Sequence, residues 1–282
     1  METGSLSETN QLALTTDWTS SCRRMVEKIK AEFVKYPTYE TRKVGTGQGA
    51  GGDFTLVIDE VAEDAVFAEL EALSESGADF YAISEERGVV EFGSKAVKVV
   101  VDPIDGSLNA KRVAQSWSLS VAVAVGETME DVVYGYVYDF GANEEWIGIK
   151  GGGATVDGRT LDPSEAGNEL EVVGLESTKP VFLTPGLLGA FDGNVQRIRS
   201  IGSIALTLCQ VAAARYDGML SLRACRSVDA AAAQLIAREA GATVVFGDDE
   251  ALVAPLTLEP YKPVAAGRDE TRAKFLINAL GA

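Results

Sequence analysis

Six carboxylates stand at the ends of apolar runs: Asp59 in "TLVIDEVAED", Glu85 and Glu86 after "YAIS", Asp102 and Asp105 in "VVVDPIDGSLNA", and Asp229 in "RSVDAAAAQ". The chain has no histidine, which excludes Ser-His-Asp and Cys-His nucleophiles, phosphohistidine chemistry and His-bearing zinc sites. Cys22, Cys209 and Cys225 cannot make a four-thiolate zinc site, and their odd count without paired spacing reads as reduced thiols. What remains is chemistry on carboxylates, hydroxyls, Lys or Arg, helped by hard metals. Carboxylates gathered in one place repel unless cations lie between them, and an all-oxygen donor set points to Mg²⁺ or Mn²⁺. With the Ile104 carbonyl between them as a neutral donor, Asp102 and Asp105 can share such a site if a turn at Pro103 brings them round.

Each acid also has a plainer reading. Pro-x-Asp-Gly is a common turn, Asp229 suits a helix N-cap, and Glu85 can be a charged strand end. The run that follows Asp105, Gly-Ser-Leu-Asn-Ala-Lys, fits a helix N-terminus whose free N–H groups and dipole favour a phosphate. That matters in a chain with 25 basic and 42 acidic residues and a formal charge of −17. Such a surface disfavours nucleic-acid backbones and anionic membranes, so a phosphate has to be held by metals and backbone amides.

The elements that position these acids follow from periodicity. Residues 17–36 carry apolar groups at helical spacing behind Asp17 as N-cap, and residues 55–74 predict a second helix with Asp59 in its first turns. Between them lies "KVGTGQGAGGD", whose Gly47, Gly49 and Gly52 match GxGxxG. No strand precedes it and no Lys-Ser follows, so it reads as a flexible loop and not as a nucleotide cradle. Residues 79–84 and 96–102 predict short strands that run into acids. Residues 117–126, 132–140 and 144–153 predict antiparallel strands. Then come a helix at 205–216, a strand at 218–223, an Ala-rich helix at 227–242, two more strands and a closing helix at 269–280. Helices interleaved with antiparallel pairs imply a layered α/β fold. No stretch reaches the ~18 apolar residues of a membrane span. The N-terminus lacks a basic segment leading into an apolar core, so a cytoplasmic location is expected.

Asp59, "SEE" at 84–86, "DPIDGS" at 102–107 and "VDAAAAQLIAREAG" at 228–241 together resemble the inositol monophosphatase family of lithium-sensitive, Mg²⁺-dependent phosphomonoesterases. "DGSLNA" and "IGSIALTLCQVAAARYDGMLSLR" bring the chain nearest to the archaeal type, which acts on both fructose 1,6-bisphosphate and inositol 1-phosphate. The resemblance implies an αβαβα sugar-phosphatase fold with mixed, largely antiparallel sheets in one domain. Within it, residues 1–155 would be the metal and phosphate core and 156–282 a substrate lobe. It implies two or three Mg²⁺ ions, with Mn²⁺ as a substitute and Li⁺ as an inhibitor, and a homodimer acting on a small sugar or inositol phosphate. Glu85, Asp102, the Ile104 carbonyl, Asp105 and Asp229 would hold the metals, and Asp59, Glu85 and Ser107 would orient a metal-activated water. Asp105 and the amides of Gly106 and Ser107 would face the phosphate, and Arg199 and Arg223 a second phosphate. Ser107 stands where the family usually has Thr, Val228 where many members have Trp, and Ala233 where Gly is common. The last two bear on the choice of substrate. A 3′-phosphoadenosine 5′-phosphate phosphatase, or a non-catalytic metal- and phosphate-binding regulator, would share these core motifs.

Overall fold

A computed structural model describes residues 8–48, 54–162, 169–248 and 252–281. Two sheets organise the chain. The larger has eight strands in the order β10-β9-β8-β7-β6-β5-β3-β4. In chain order these are β3 (Phe80–Ser84), β4 (Gly88–Phe92), β5 (Val97–Asp105), β6 (Ser118–Val125), β7 (Val132–Asp139), β8 (Glu144–Ile149), β9 (Gly153–Val156) and β10 (Arg159–Thr160). The smaller has five, in the order β12-β11-β13-β15-β14: β11 (Leu170–Glu176), β12 (Val195–Arg199), β13 (Gly218–Ser221), β14 (Thr243–Phe246) and β15 (Val264–Gly267). Pairing is antiparallel except for β3 with β5 and β11 with β12 and β13.

Alternation along the strands separates the layers. On β5, Val97, Val99 and Val101 face one core, packed with helices α2 (Trp18–Phe33) and α4 (Val57–Glu75), while Val100 faces another. This second core holds α7 (Ile204–Ala212) and α8 (Ser227–Glu239) between the two sheets. A third, under the outer face of the smaller sheet, is closed by α6 (Pro185–Phe191) and α9 (Glu270–Asn278). The order of layers is therefore αβαβα, as the resemblance implied. Short helices α1 (Glu8–Thr15), α3 (Tyr39–Arg42) and α5 (Ser107–Lys111) complete the set. The alanines of α8 have a steric reason. Ala230, Ala231, Ala232 and Ala233 are buried, and a Cβ added at Gly135 of β7 would lie 2.5 Å from the Ala232 carbonyl oxygen. Only small side chains let the central helix lie this close to the sheet.

Three expectations are corrected. The glycine-rich segment is in part ordered sheet: β1 (Gly45–Gln48) pairs with β2 (Phe54–Leu56), while Gly49 and Gly52 lie outside the described residues. The helix expected over 205–216 stops at Ala212, because Ala214 turns into the left-handed region at φ 55°. And no turn forms at Pro103, since β5 continues through it to Asp105.

Candidate active site

That continuation builds the centre of the site. Asp102 lies opposite Ser120 of β6 and Asp105 opposite Ser118, so three steps on β5 span two on β6. This is a β-bulge, a place where proline is tolerated in a sheet. In a regular strand, residues three apart point to opposite faces. The extra residue restores parity, and Asp102 and Asp105 emerge on one face. Asp102 Oδ1 accepts from the Ile104 amide at 2.9 Å, and Ser107 Oγ donates to the Ile104 carbonyl at 3.0 Å. Gly106 makes the exit from strand to helix at φ 99°, where an added Cβ would lie 3.0 Å from the Ser116 carbonyl oxygen and 3.2 Å from that of Gly202. Only glycine meets both demands. Ser107 then opens α5, as expected.

The other acids arrive from separate elements. Asp59, in the first turn of α4, accepts from the Leu56 amide through Oδ2 at 2.9 Å, and its Oδ1 is buried with no hydrogen-bond partner. Glu85 and Glu86 follow β3 in the turn to β4, where Glu86 accepts from Thr55 Oγ1 at 2.5 Å. Asp229 lies in the first turn of α8. Asp59, Glu85, Glu86, Asp102, Pro103, Ile104 and Ser107 line one cleft, which widens past Leu108 and Lys111 into a space of about 200 Å³.

Burial of so much like charge shows in the acidities. Asp59 is lifted to about 6, first by loss of solvent and then by the Glu86 charge. Glu85 is lifted to about 7, mainly by burial, with Asp229 and Glu86 adding repulsion that Arg226 opposes. Asp102, fully enclosed, is raised well above the carboxylate range by burial and by Glu85, Asp105 and Asp229. Asp105 is raised to about 8 by burial, although its Oδ2 accepts from Ser203 Oγ at 2.5 Å and from the Ala205 amide at 2.8 Å. That mutual repulsion places Asp102, Asp105, Glu85 and Asp229 in one electrostatic cluster.

Four contributors escaped sequence reasoning. Ser203, at the start of α7, ties Asp105 to the central helix layer. Glu176, at the end of β11, accepts from the amides of Ile201 and Gly202 at 3.1 and 3.0 Å and from Thr207 Oγ1 at 2.7 Å, and so clamps the turn that carries Ser203. Glu63 of α4 accepts from Ser84 Oγ at 2.9 Å and from the Arg87 amide at 3.2 Å, holding both ends of the turn that presents Glu85 and Glu86. Arg226 reaches Glu85 Oε1 at 2.7 Å and Asp229 Oδ1 at 3.0 Å. A buried acid within a helix or at an unrecognised strand end has no periodic signature. The one usable signal was Arg226 three residues before Asp229, the spacing of a capping pair.

Arg199 and Arg223 stand elsewhere. Arg199, on exposed strand β12, donates from Nη1 to the Ile198 carbonyl at 2.9 Å. Arg223 lies over the Phe182 ring with its guanidinium carbon 5.2 Å from the ring centroid. Both are exposed, and neither lines the acidic cleft. Val228 and Ala233 are buried core residues of α8. The three cysteines are buried and unpaired.

The donor set suits a hard divalent cation. It is all oxygen and mutually repulsive, and it includes a buried carboxylate atom without a partner. Among the described residues, no three acidic side chains close around a common point, and Arg226 lies between Glu85 and Asp229. Also among the described residues, no helix is long and apolar enough to cross a membrane.

The chain is a phosphoric monoester hydrolase by class, as its sequence relatives are. More particularly, the chain belongs to the inositol monophosphatase family, whose model matches residues 14–280. It is 33% identical over 243 residues to a fructose-1,6-bisphosphatase/inositol-1-monophosphatase of Methanothermobacter thermautotrophicus, covering 80% of this chain and 83% of that one. It is also 32% identical over 224 residues to the Nus factor SuhB of Pasteurella multocida, covering 76% and 80%. A crystal structure titled inositol monophosphatase–fructose 1,6-bisphosphatase superposes with a TM-score of 0.81 at 24% identity, over 94% of this chain and all of the other, a likeness of fold.

Proposed function

We propose that the chain hydrolyses the phosphate monoesters of small sugars or cyclitols, fructose 1,6-bisphosphate and inositol 1-phosphate among them, in a Mg²⁺-dependent reaction with water as the nucleophile. The observation that carries this reading is the gathering of Asp102, Asp105, Glu85 and Asp229 from three elements into one buried, mutually repelling group beside Ser107. Glu85, Asp102, Asp105, Asp229 and the Ile104 carbonyl would hold the divalent ions, with Mn²⁺ as a substitute and Li⁺ as an inhibitor. Bound there, such ions supply charge neutralisation at the phosphoryl oxygens and raise the acidity of water. The protein's own part is positional. Asp59, buried at the start of α4 and on a carboxyl lifted to about 6, would help to orient that water. Ser107 Oγ and Glu85 border the same cleft and would orient that water. The amides of Gly106 and Ser107, at the start of α5, would receive the phosphate.

In this reading residues 1–155 supply most of the metal and phosphate core and residues 156–282 the substrate side, with Asp229 crossing over from the second part. Arg199 and Arg223, which lie outside the acidic cleft, would contact a second phosphate on the substrate side. A cytoplasmic homodimer is the matching assembly. Similarity to SuhB proteins supports a second reading, a regulator of the same fold that acts through other macromolecules. Phosphate release from fructose 1,6-bisphosphate, inositol 1-phosphate and 3′-phosphoadenosine 5′-phosphate, with Mg²⁺ and with chelator, separates the readings. Turnover of the first two only with metal is expected. Preference for the third replaces the substrate class, and no turnover on any of them leaves the regulator.

A further inference from the structure

The acidic group already contains one cation. Arg226 precedes α8, and its backbone N–H donates to Asp229 Oδ2 at 2.9 Å. Its guanidinium then reaches Asp229 Oδ1 at 3.0 Å and, from a different element, Glu85 Oε1 at 2.7 Å. Arg226 thus engages three of the four carboxylate oxygens of this pair. These ion pairs are enclosed: the side chains of Arg226, Glu85 and Asp229 are 16%, 12% and 13% exposed. Solvent therefore screens them far less than it does an ordinary surface pair. Arg226 also offsets the repulsion that raises Asp102.

We propose that Arg226 is a built-in competitor for the divalent cation, a guanidinium that must leave Glu85 and Asp229 before those carboxylates can ligate metal. This rests on the metal-dependent reading of the cleft. A guanidinium fork and a divalent ion want the same oxygens, and a positive charge left beside the ion repels it at short range. The device has two consequences. Arg226 already lies against both Glu85 and Asp229, so the fold does not depend on metal to relieve that pair. The price is lower affinity at the position they share.

The test is Mn²⁺ binding to the full chain, followed by electron paramagnetic resonance of the free ion, with all proteins compared at one pH. Wild type is compared with Arg226→Met and Arg226→Lys. The ion pairs with Glu85 and Asp229 are lost in Arg226→Met, so its affinity for Mn²⁺ should rise by about ten- to a hundredfold. Arg226→Lys keeps the charge but loses the fork and should fall between the two. In chelator, Arg226→Met should melt at a lower temperature than wild type, and Mn²⁺ should raise its melting temperature by more. Equal or weaker Mn²⁺ binding by folded Arg226→Met, with Arg226→Lys also no tighter than wild type, overturns the competition while leaving the metal site standing. Absence of Mn²⁺ binding in all three proteins overturns the metal reading and the competition with it.

Discussion

Glu63 offers a direct measure of what the fold gives up to hold the site. It is 2% exposed, and its two oxygens accept separately, Oε2 from Ser84 Oγ and Oε1 from the Arg87 amide. Glutamine fits the same place, because its carbonyl can take the Arg87 amide and its amide can donate to the Ser84 hydroxyl. Burial lifts Glu63 from an ordinary 4.5 to about 7. The folded chain thus holds this proton more tightly than the unfolded chain does. Stability from this group is fully present below about 4.5 and is lost as pH rises through about 7. At roughly 1.36 kcal/mol per pKa unit the loss above that range has a ceiling of about 3 kcal/mol, and about half of that is expected once the surroundings relax. Glu63→Gln carries no such penalty. Urea unfolding of both proteins at about pH 4.5 and about pH 8 should show a gap in favour of Glu63→Gln that grows by about 1.5–3 kcal/mol between the two. Taking the difference between pH values cancels any change in packing common to both. A gap that does not change with pH, or one that moves against the glutamine variant at high pH, would refute the claim that the Glu85–Glu86 turn is held by an ion the interior disfavours.

Ser203→Ala removes the donor to Asp105 and the acceptor of the Leu206 amide at 3.0 Å together. It should cost about 1–2 kcal/mol in urea unfolding as a lost cap, and lower kcat by more than the fold loss explains; a purely stability-limited variant would keep kcat. The ascending limb of kcat against pH should move to lower pH when Mn²⁺ replaces Mg²⁺ at saturation, since no histidine is present to supply a base and a more acidifying ion lowers the pKa of water. A limb that stays in place under both ions would instead assign the proton acceptor to a protein carboxyl lifted by burial, first of all Glu85 at about 7.

Much of the site was legible because chemistry and periodicity coincide at element ends. Asp59, Glu85, Asp102 and Asp229 each end or begin an apolar run, and the structure puts Asp59, Glu85 and Asp229 at such an end, while Asp102 lies within β5. The bulge at Pro103 was not legible, because Asp-Pro-Ile-Asp reads equally as a turn. Only pairing with Ser118 and Ser120, residues distant in sequence, decides for the strand. β4, β11, β12 and α6 were missed for a related reason. Their short, partly exposed segments carry weak alternation and take their conformation from neighbours. Glu63 and Glu176 carry no mark of burial in the sequence. Their burial is set by the Ser84–Arg87 turn and by the Ile201–Thr207 segment that fold over them.

The central claim is that the gathered carboxylates act through divalent cations on a phosphate ester. Asp102 tests it best, being enclosed and repelled by Glu85, Asp105 and Asp229 together. The measurement is phosphate release from fructose 1,6-bisphosphate and inositol 1-phosphate by wild type and Asp102→Asn, titrated with Mg²⁺, alongside unfolding in chelator. Asparagine keeps the acceptor for the Ile104 amide. The variant should therefore stay folded, and be at least as stable as wild type without metal, yet lose turnover by a factor of about a hundred or more. Turnover by Asp102→Asn above about a tenth of wild type, or wild-type turnover that persists undiminished in chelator, would contradict the account.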